Sequence, residues 1–444
     1  MTIQEKTSPN TKESPGDTSR YQLNENETQK ADFYSAFHTP KSTFTKGKWQ
    51  VLLLLSLAEL LAMAVWFSAT AVIPALTDLW QLSAGSRAWL TMSVQIGFVV
   101  GAFGSAVFNL ADRLPARRLF AASALLAGLL TLAIPLLARE INLALLLRFL
   151  TGVLLAGVYP IGMKIMATWT KADRGLGIGL LVGALTVGSA SPHLINAAGG
   201  VQNWQFVLIL AGLSAIVAAI IALIFVTEGP YAAKSPPFNW REVGLILRDR
   251  PVVLANLGYL GHMWELYAMW AWIPAFFLAS FTAVGIAPRW ASLSAFAVIA
   301  VGGIGSLLAG QWADQLGRTT ITIASLIISG LAAVLIGFLF GGNPILLLGL
   351  ALIWGFAVVA DSAQFSAAVS ELAPQDYVGT ALTLQTSLGF LLTLFTIRMI
   401  PPLANWMGWQ TAFAFLAIGP AVGIWAMWQL RRSPAAQKLA GGRG

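Results

Sequence analysis

The sequence predicts an all-α polytopic membrane protein: twelve transmembrane helices in two six-helix halves that repeat one another. Three observations predict it. The 444 residues are 57% hydrophobic and only 10% charged, against about 25% charged in an ordinary soluble domain. Twelve separate stretches are long and apolar enough to cross a bilayer as helices, which takes about 20 residues each. Matching landmarks recur at a near-constant spacing of 200 to 203 residues.

Residues 1–48 stand apart. They are polar, rich in Ser, Thr, Asn, Lys and Glu, and have no apolar core of the kind a secretory signal needs. They are expected to form a disordered cytoplasmic N-terminal tail. The apolar stretches follow at 49–77, 88–110, 118–138, 142–168, 175–197, 204–227, 251–281, 289–311, 319–340, 344–370, 378–401 and 408–430. Short alternating segments of a membrane barrel are absent from the pattern, so helices are expected. The longest inner connection, 228–250, divides the chain into an N-terminal six-helix bundle (49–227) and a C-terminal one (251–430), with a cytoplasmic tail at 431–444.

Charge sets the expected orientation. With both termini inside a cell membrane, inner segments hold fifteen Lys and Arg, from Lys41 to Arg432, while outer loops hold Arg87, Arg139 and Arg289. That is the positive-inside bias. It also accounts for the net charge of +8 without a nucleic-acid partner. There are no cysteines and three scattered histidines, and no Ser/His/Asp or metal-ligand grouping. The reading is therefore a non-enzyme with no cofactor and no metal, acting as a monomer.

The repeat is explicit. "VIPAL" (72–76) and "WIPAF" (272–276) end comparable helices, Asp112 aligns with Asp314, and Asp173 aligns with Asp376. Two such halves describe a transporter plan, with the substrate site at their interface near mid-membrane. Here the residues carry a resemblance. "GQWADQLGRT" (310–319) resembles the loop signature of the major facilitator superfamily, Gly-x-x-x-Asp-Arg-x-Gly-Arg-Arg/Lys. Gly310, Asp314, Gly317 and Arg318 match, while Gln315 and Thr319 depart. The first copy, "FNLADRLPARR", keeps Asp112, Arg113 and Arg117 and has Phe108 and Pro115 in place of the glycines. "RFLTG" (148–152) resembles the superfamily's Arg-x-x-x-Gly pattern. These two clusters are expected to act as a gate on the cytoplasmic side, each carboxylate accepting backbone N–H bonds and pairing with nearby Arg.

Ionisable residues within apolar spans are rare because each costs about 2.5–3.5 kcal/mol at the helix centre. Glu59, Arg148, Glu265 and Asp361 lie in spans 1, 4, 7 and 10. The resemblance implies that these four helices line the central cavity. Glu59 shares a face with Trp66, and Asp361 begins a polar strip with Ser362 and Gln364. Arg148 suits either an ion pair or a coupling role, with Gly152 leaving space beside it. Lys164, near the end of span 4, is expected to snorkel. His262 and Glu265, at i, i+3, are expected to pair in a proton-exchange site beside Trp264, Tyr267, Trp270 and Trp272. The glycine stripe 175, 179 and 183 is expected to seat a neighbouring helix.

The reading is a secondary transporter that moves a small-molecule substrate by alternating access, with protons as coupling ion. The alternative is a transporter-like membrane receptor that binds a solute without net transport.

Overall fold

The computed structural model describes residues 46–170, 174–199, 203–231, 239–374 and 378–444. The polar tail before residue 46, the landmarks Asp173 and Asp376, and the middle of the 228–250 connection lie outside them. Among the described residues, eleven helices are long and apolar enough to span a membrane. The remaining crossing is span 1, which is broken: Lys46–Met63 gives way to Ser68–Ala71 and Ile73–Trp80. Spans 2 to 6 are Ala84–Val107, Ala116–Leu137, Ile141–Trp169, Gly175–Gly199 and Trp204–Phe225. Spans 7 to 12 are Arg250–Ala283, Pro288–Leu316, Arg318–Leu339, Pro344–Leu372, Val378–Met407 and Trp409–Arg431. The twelve-helix plan expected from the sequence is the one observed.

Spans 4 and 10 are also interrupted, at matched places. Span 4 breaks after Leu155 and resumes at Tyr159. Pro160 follows at once, with no N–H to offer and a ring that crowds the Ala156 carbonyl four residues back. Span 10 breaks at Asp361, between Pro344–Ala360 and Ser362–Leu372. The repeat is visible in the packing as well. Gly152 of span 4 lies so close to the Val94 carbonyl of span 2 that a side chain would not fit, and Gly355 of span 10 meets the Val298 carbonyl of span 8 in the same way. Gly152 therefore admits a neighbouring backbone and does not leave space for Arg148, as small residues at a helix interface allow.

Spans 5 and 8 pack along their length. A Cβ on Gly183 would stand 3.2 Å from the Gly303 carbonyl oxygen, and one on Gly179 would stand 3.3 Å from that of Ser306. At one end Asn196 donates to the Ser292 hydroxyl at 3.0 Å; at the other Gly175 faces Gly310 and Asp314. Large apolar side chains such as Leu136, Phe338 and Ile345 point outward and are exposed, as a surface solvated by lipid requires.

Candidate functional site

The break in span 1 leaves carbonyls at Val65 and Trp66 that no helical N–H satisfies. Arg148 of span 4 satisfies them. Its guanidinium donates to the Val65 carbonyl at 2.6 Å, to that of Trp66, and more loosely to Leu90 of span 2 at 3.5 Å. The side chain is fully buried. It therefore does not snorkel, and it has no ion-pair partner among the described residues; its forked donors fit a set of carbonyls better than a point charge would.

Below this break lies a layer of buried ionisable groups. The expected pairing of His262 with Glu265 is not what the structure contains. His262 Nδ1 stands 2.8 Å from Asp361 Oδ1, at ion-pair distance, although its N–H is not aligned for a linear hydrogen bond. The break in span 10 delivers Asp361 to that position. Glu265 instead accepts from the indole N–H of Trp354 at 2.6 Å and from the Ser329 hydroxyl at 2.9 Å. Residues three apart on one helix share a face, but each side chain went to its own partner on a neighbouring helix. Glu59 is fully buried beside Gly162 of span 4, and neither of its oxygens has a hydrogen-bond partner among the described residues.

One to two turns along spans 1 and 7 is an aromatic layer. Trp66 and Phe67 of span 1 meet Tyr267 and Trp270 of span 7, with Phe98 of span 2 and Phe390 of span 11 closing the ring set. Phe67 stacks on Tyr267 at 6.3 Å between centroids, and Phe98 and Phe390 approach to 4.6 Å. Such offset and tilted contacts add about 0.5–1.5 kcal/mol each beyond burial. Both halves of the chain contribute. The indole N–H groups of Trp66 and Trp270 and the amide nitrogen of Gln95 are buried without an acceptor among the described residues.

Beyond the rings a cleft of about 460 Å³ opens between spans 1, 2 and 5 and spans 7 and 8. Thr70, Asp78, Arg87, Asn196, Trp272 and Ser292 are among its walls. Of the eight residues expected to line the cavity, Glu59, Trp66, Arg148, His262, Glu265, Tyr267, Asp361 and Gln364, none reaches the cleft; all are buried. Gln364 belongs elsewhere, since its amide oxygen accepts from Arg318 at 2.8 Å.

The two signature clusters differ from expectation. Asp112 pairs with Lys164 of span 4, which also donates to the Ala111 carbonyl, so Lys164 does not snorkel. The N-terminal amide of span 3, at Ala116, is met by Glu228 at 3.1 Å and not by Asp112. Arg113 is exposed and Arg117 partly so, and neither has an ion-pair partner among the described residues. In the second copy Arg318 grips Glu371 of span 10 through Nε and Nη2, at 2.8 and 2.5 Å. Asp314 is half exposed and lies 3.6 Å from Arg318, with its other oxygen against Gly175 of span 5. Gly317 closes the turn at φ +94°, and Gly310 faces Gly175.

Sequence reasoning missed Trp354, Ser329, Phe98, Phe390 and Glu371, each ordinary in its own helix. In the sequence Arg87 stands out only as an outer-loop charge. A partner on another helix leaves no local signal.

The family model of the Major Facilitator Superfamily matches residues 55–397. The chain is 29% identical over 187 residues to the 4-hydroxybenzoate transporter PcaK of Pseudomonas aeruginosa, covering 41% of this chain and 40% of that one. It is 27% identical over 219 residues to NiaP of Bacillus subtilis, named for niacin or nicotinamide transport, covering 47% and 53%. The match thus spans about half the length of these two relatives. Among solved structures, the proton:xylose symporter XylE superposes with a TM-score of 0.67 at 14% identity, over 87% of this chain and 96% of that one. The nucleoside transporter NupG gives 0.63 at 16% identity, over 86% and 99%. At such identities the likeness is one of fold alone.

Proposed function

The chain belongs to the major facilitator superfamily, and on that footing we propose that it is a secondary transporter, moving a small solute by alternating access with a proton as coupling ion. The observation that carries this reading is the aromatic layer. Rings from both halves meet there, beside a cleft walled by spans 1, 2, 5, 7 and 8 and by Trp409. Alternating access needs a site shared by two bodies that rock about it, and this layer is so divided. The deeper ionisable layer of Glu59, Glu265 and the His262–Asp361 contact supplies groups that can carry a proton.

The solute class we favour is a small aromatic acid. Planar rings stack on Trp66, Tyr267 and Phe390, and the buried N–H donors of Trp66, Trp270 and Gln95, without acceptors among the described residues, suit a carboxylate. Two relatives named for 4-hydroxybenzoate and niacin point the same way. In this reading both termini face the cytoplasm of a cell membrane, the halves 49–227 and 251–430 are the rocking bodies, and the protein works as a monomer. Residues Asp112, Arg113 and Arg117 and residues Gly310, Asp314, Gly317 and Arg318 form its inner gate.

The test is accumulation of labelled 4-hydroxybenzoate and nicotinate by proteoliposomes under an imposed pH gradient. Uptake that collapses with a protonophore is expected. Binding without flux would favour a receptor, and failure to bind either acid would overturn the solute class.

A further inference from the structure

On the face that carries the span 8–9 loop, a second pocket of about 630 Å³ lies between the start of span 7, the end of span 12 and the segment that follows. Three cations line it, Arg250, Arg432 and Lys438, and no carboxylate does among the described residues. All three are exposed, and none is in an ion pair among the described residues. The adjacent carboxylate in the chain, Asp249, precedes span 7 and is not among the lining residues. Three unpaired positive charges around one hollow repel one another, so the site favours an anion.

Its setting favours a lipid anion. Pro251 and Leu254 give the hollow an apolar wall. One turn before Arg432, the Trp428 ring is about half exposed and lies under the guanidinium at 4.8 Å. Exposed indoles at helix ends sit at the headgroup level of a bilayer. Basic pockets between transmembrane helices on that face suit phospholipid headgroups.

The third wall has a consequence. Pro434, Ala435 and Lys438 belong to the segment Pro434–Gly441, short helical turns broken by a kink at Leu439 and Ala440. That segment buries Leu439 completely and donates the Ala440 N–H to Glu371 at 3.1 Å. Just beyond it, Arg443 donates to the Asp314 carbonyl at 2.6 Å and its own carbonyl presses on Gly317. One segment thus walls the basic pocket and rests on the second signature cluster. We propose that this pocket binds the phosphate of an anionic phospholipid headgroup, and that occupancy holds residues 434–443 against the span 8–9 loop.

The test uses the full chain in nanodiscs of phosphatidylcholine with and without phosphatidylglycerol, and in detergent with inorganic phosphate. Lipid retention is read by native mass spectrometry. Phosphatidylglycerol should be retained in preference to phosphatidylcholine. Each of Arg250→Gln, Arg432→Gln and Lys438→Gln should weaken that preference about five-fold, as expected for one interfacial cation, while Arg431→Gln, outside the pocket, should leave it intact. The chain has no cysteine, so a spin label at Gln437→Cys reports the segment alone, and phosphatidylglycerol should slow its motion. Equal retention of the two lipids, or a preference that survives all three substitutions, would overturn the site. Protection by inorganic phosphate without lipid preference would overturn the lipid as its source. A label indifferent to phosphatidylglycerol would overturn the coupling to the loop. None of these readings depends on transport.

Discussion

His262 Nδ1 lies 2.8 Å from Asp361 Oδ1, so a buried contact ties the middle of span 7 to the break in span 10. Both side chains are about 1% exposed. Removing one member of a buried pair typically costs about 3–5 kcal/mol, because the other keeps its desolvation cost without its partner. Asp361→Ala should therefore lower the melting temperature sharply, and adding His262→Ala should recover part of the loss. A double variant no more stable than the single would show that the two residues are not energetically coupled.

Glu265 has both oxygens occupied by donors from other helices, Trp354 and Ser329. Glutamine keeps one acceptor for the indole and places an amide that the Ser329 hydroxyl can accept. Folding should survive Glu265→Gln at a cost of about 1 kcal/mol, one ordinary hydrogen bond. Because the amide cannot cycle a proton, solute exchange should persist while accumulation driven by a pH gradient is lost. Wild-type accumulation with unchanged pH dependence would leave Glu265 as a brace between spans 7, 9 and 10.

Arg148 supports the break in span 1 through carbonyls that lysine cannot reach together. Without the guanidinium the Trp66 carbonyl loses its donor, at about 1–3 kcal/mol, while that of Val65 keeps the Ser68 hydroxyl at 2.9 Å. Arg148→Lys should reduce thermal stability and the yield of folded protein, with Arg148→Ala worse. Circular dichroism melts of the purified variants would check this, and a fully stable Arg148→Lys would refute the role.

Arg318 is held by Glu371 in two contacts, whereas Asp314 is half exposed and 3.6 Å away. Exposed pairs contribute about 0–1 kcal/mol, while bidentate Arg–carboxylate pairs are stronger. Glu371→Gln should therefore alter turnover more than Asp314→Asn, with both leaving solute affinity nearly unchanged. Flux rates and binding constants in the same vesicles would decide; a larger effect from Asp314→Asn would return the gate to the signature carboxylate.

The sequence by itself determined the class of molecule, the twelve crossings and the repeat. Burial of long apolar runs in lipid depends on composition and length, which are local, and a duplicated signature is readable at any distance along the chain. It also marked Glu59, Arg148, His262, Glu265 and Asp361 as exceptional, because a charge in an apolar helix is conspicuous without a partner in view. Only the tertiary structure decided what each one touches. The break at Ala64–Phe67 contains neither Pro nor Gly, and the carbonyls it frees, at Val65 and Trp66, are met by an arginine 83 and 82 residues away. His262 passed over a neighbour three residues distant for Asp361, and Arg318 took Glu371 in preference to its own motif partner. Hydrogen bonds and ion pairs act within about 3 Å of space, and which helices come that close is set by glycine contacts and helix breaks across the whole bundle.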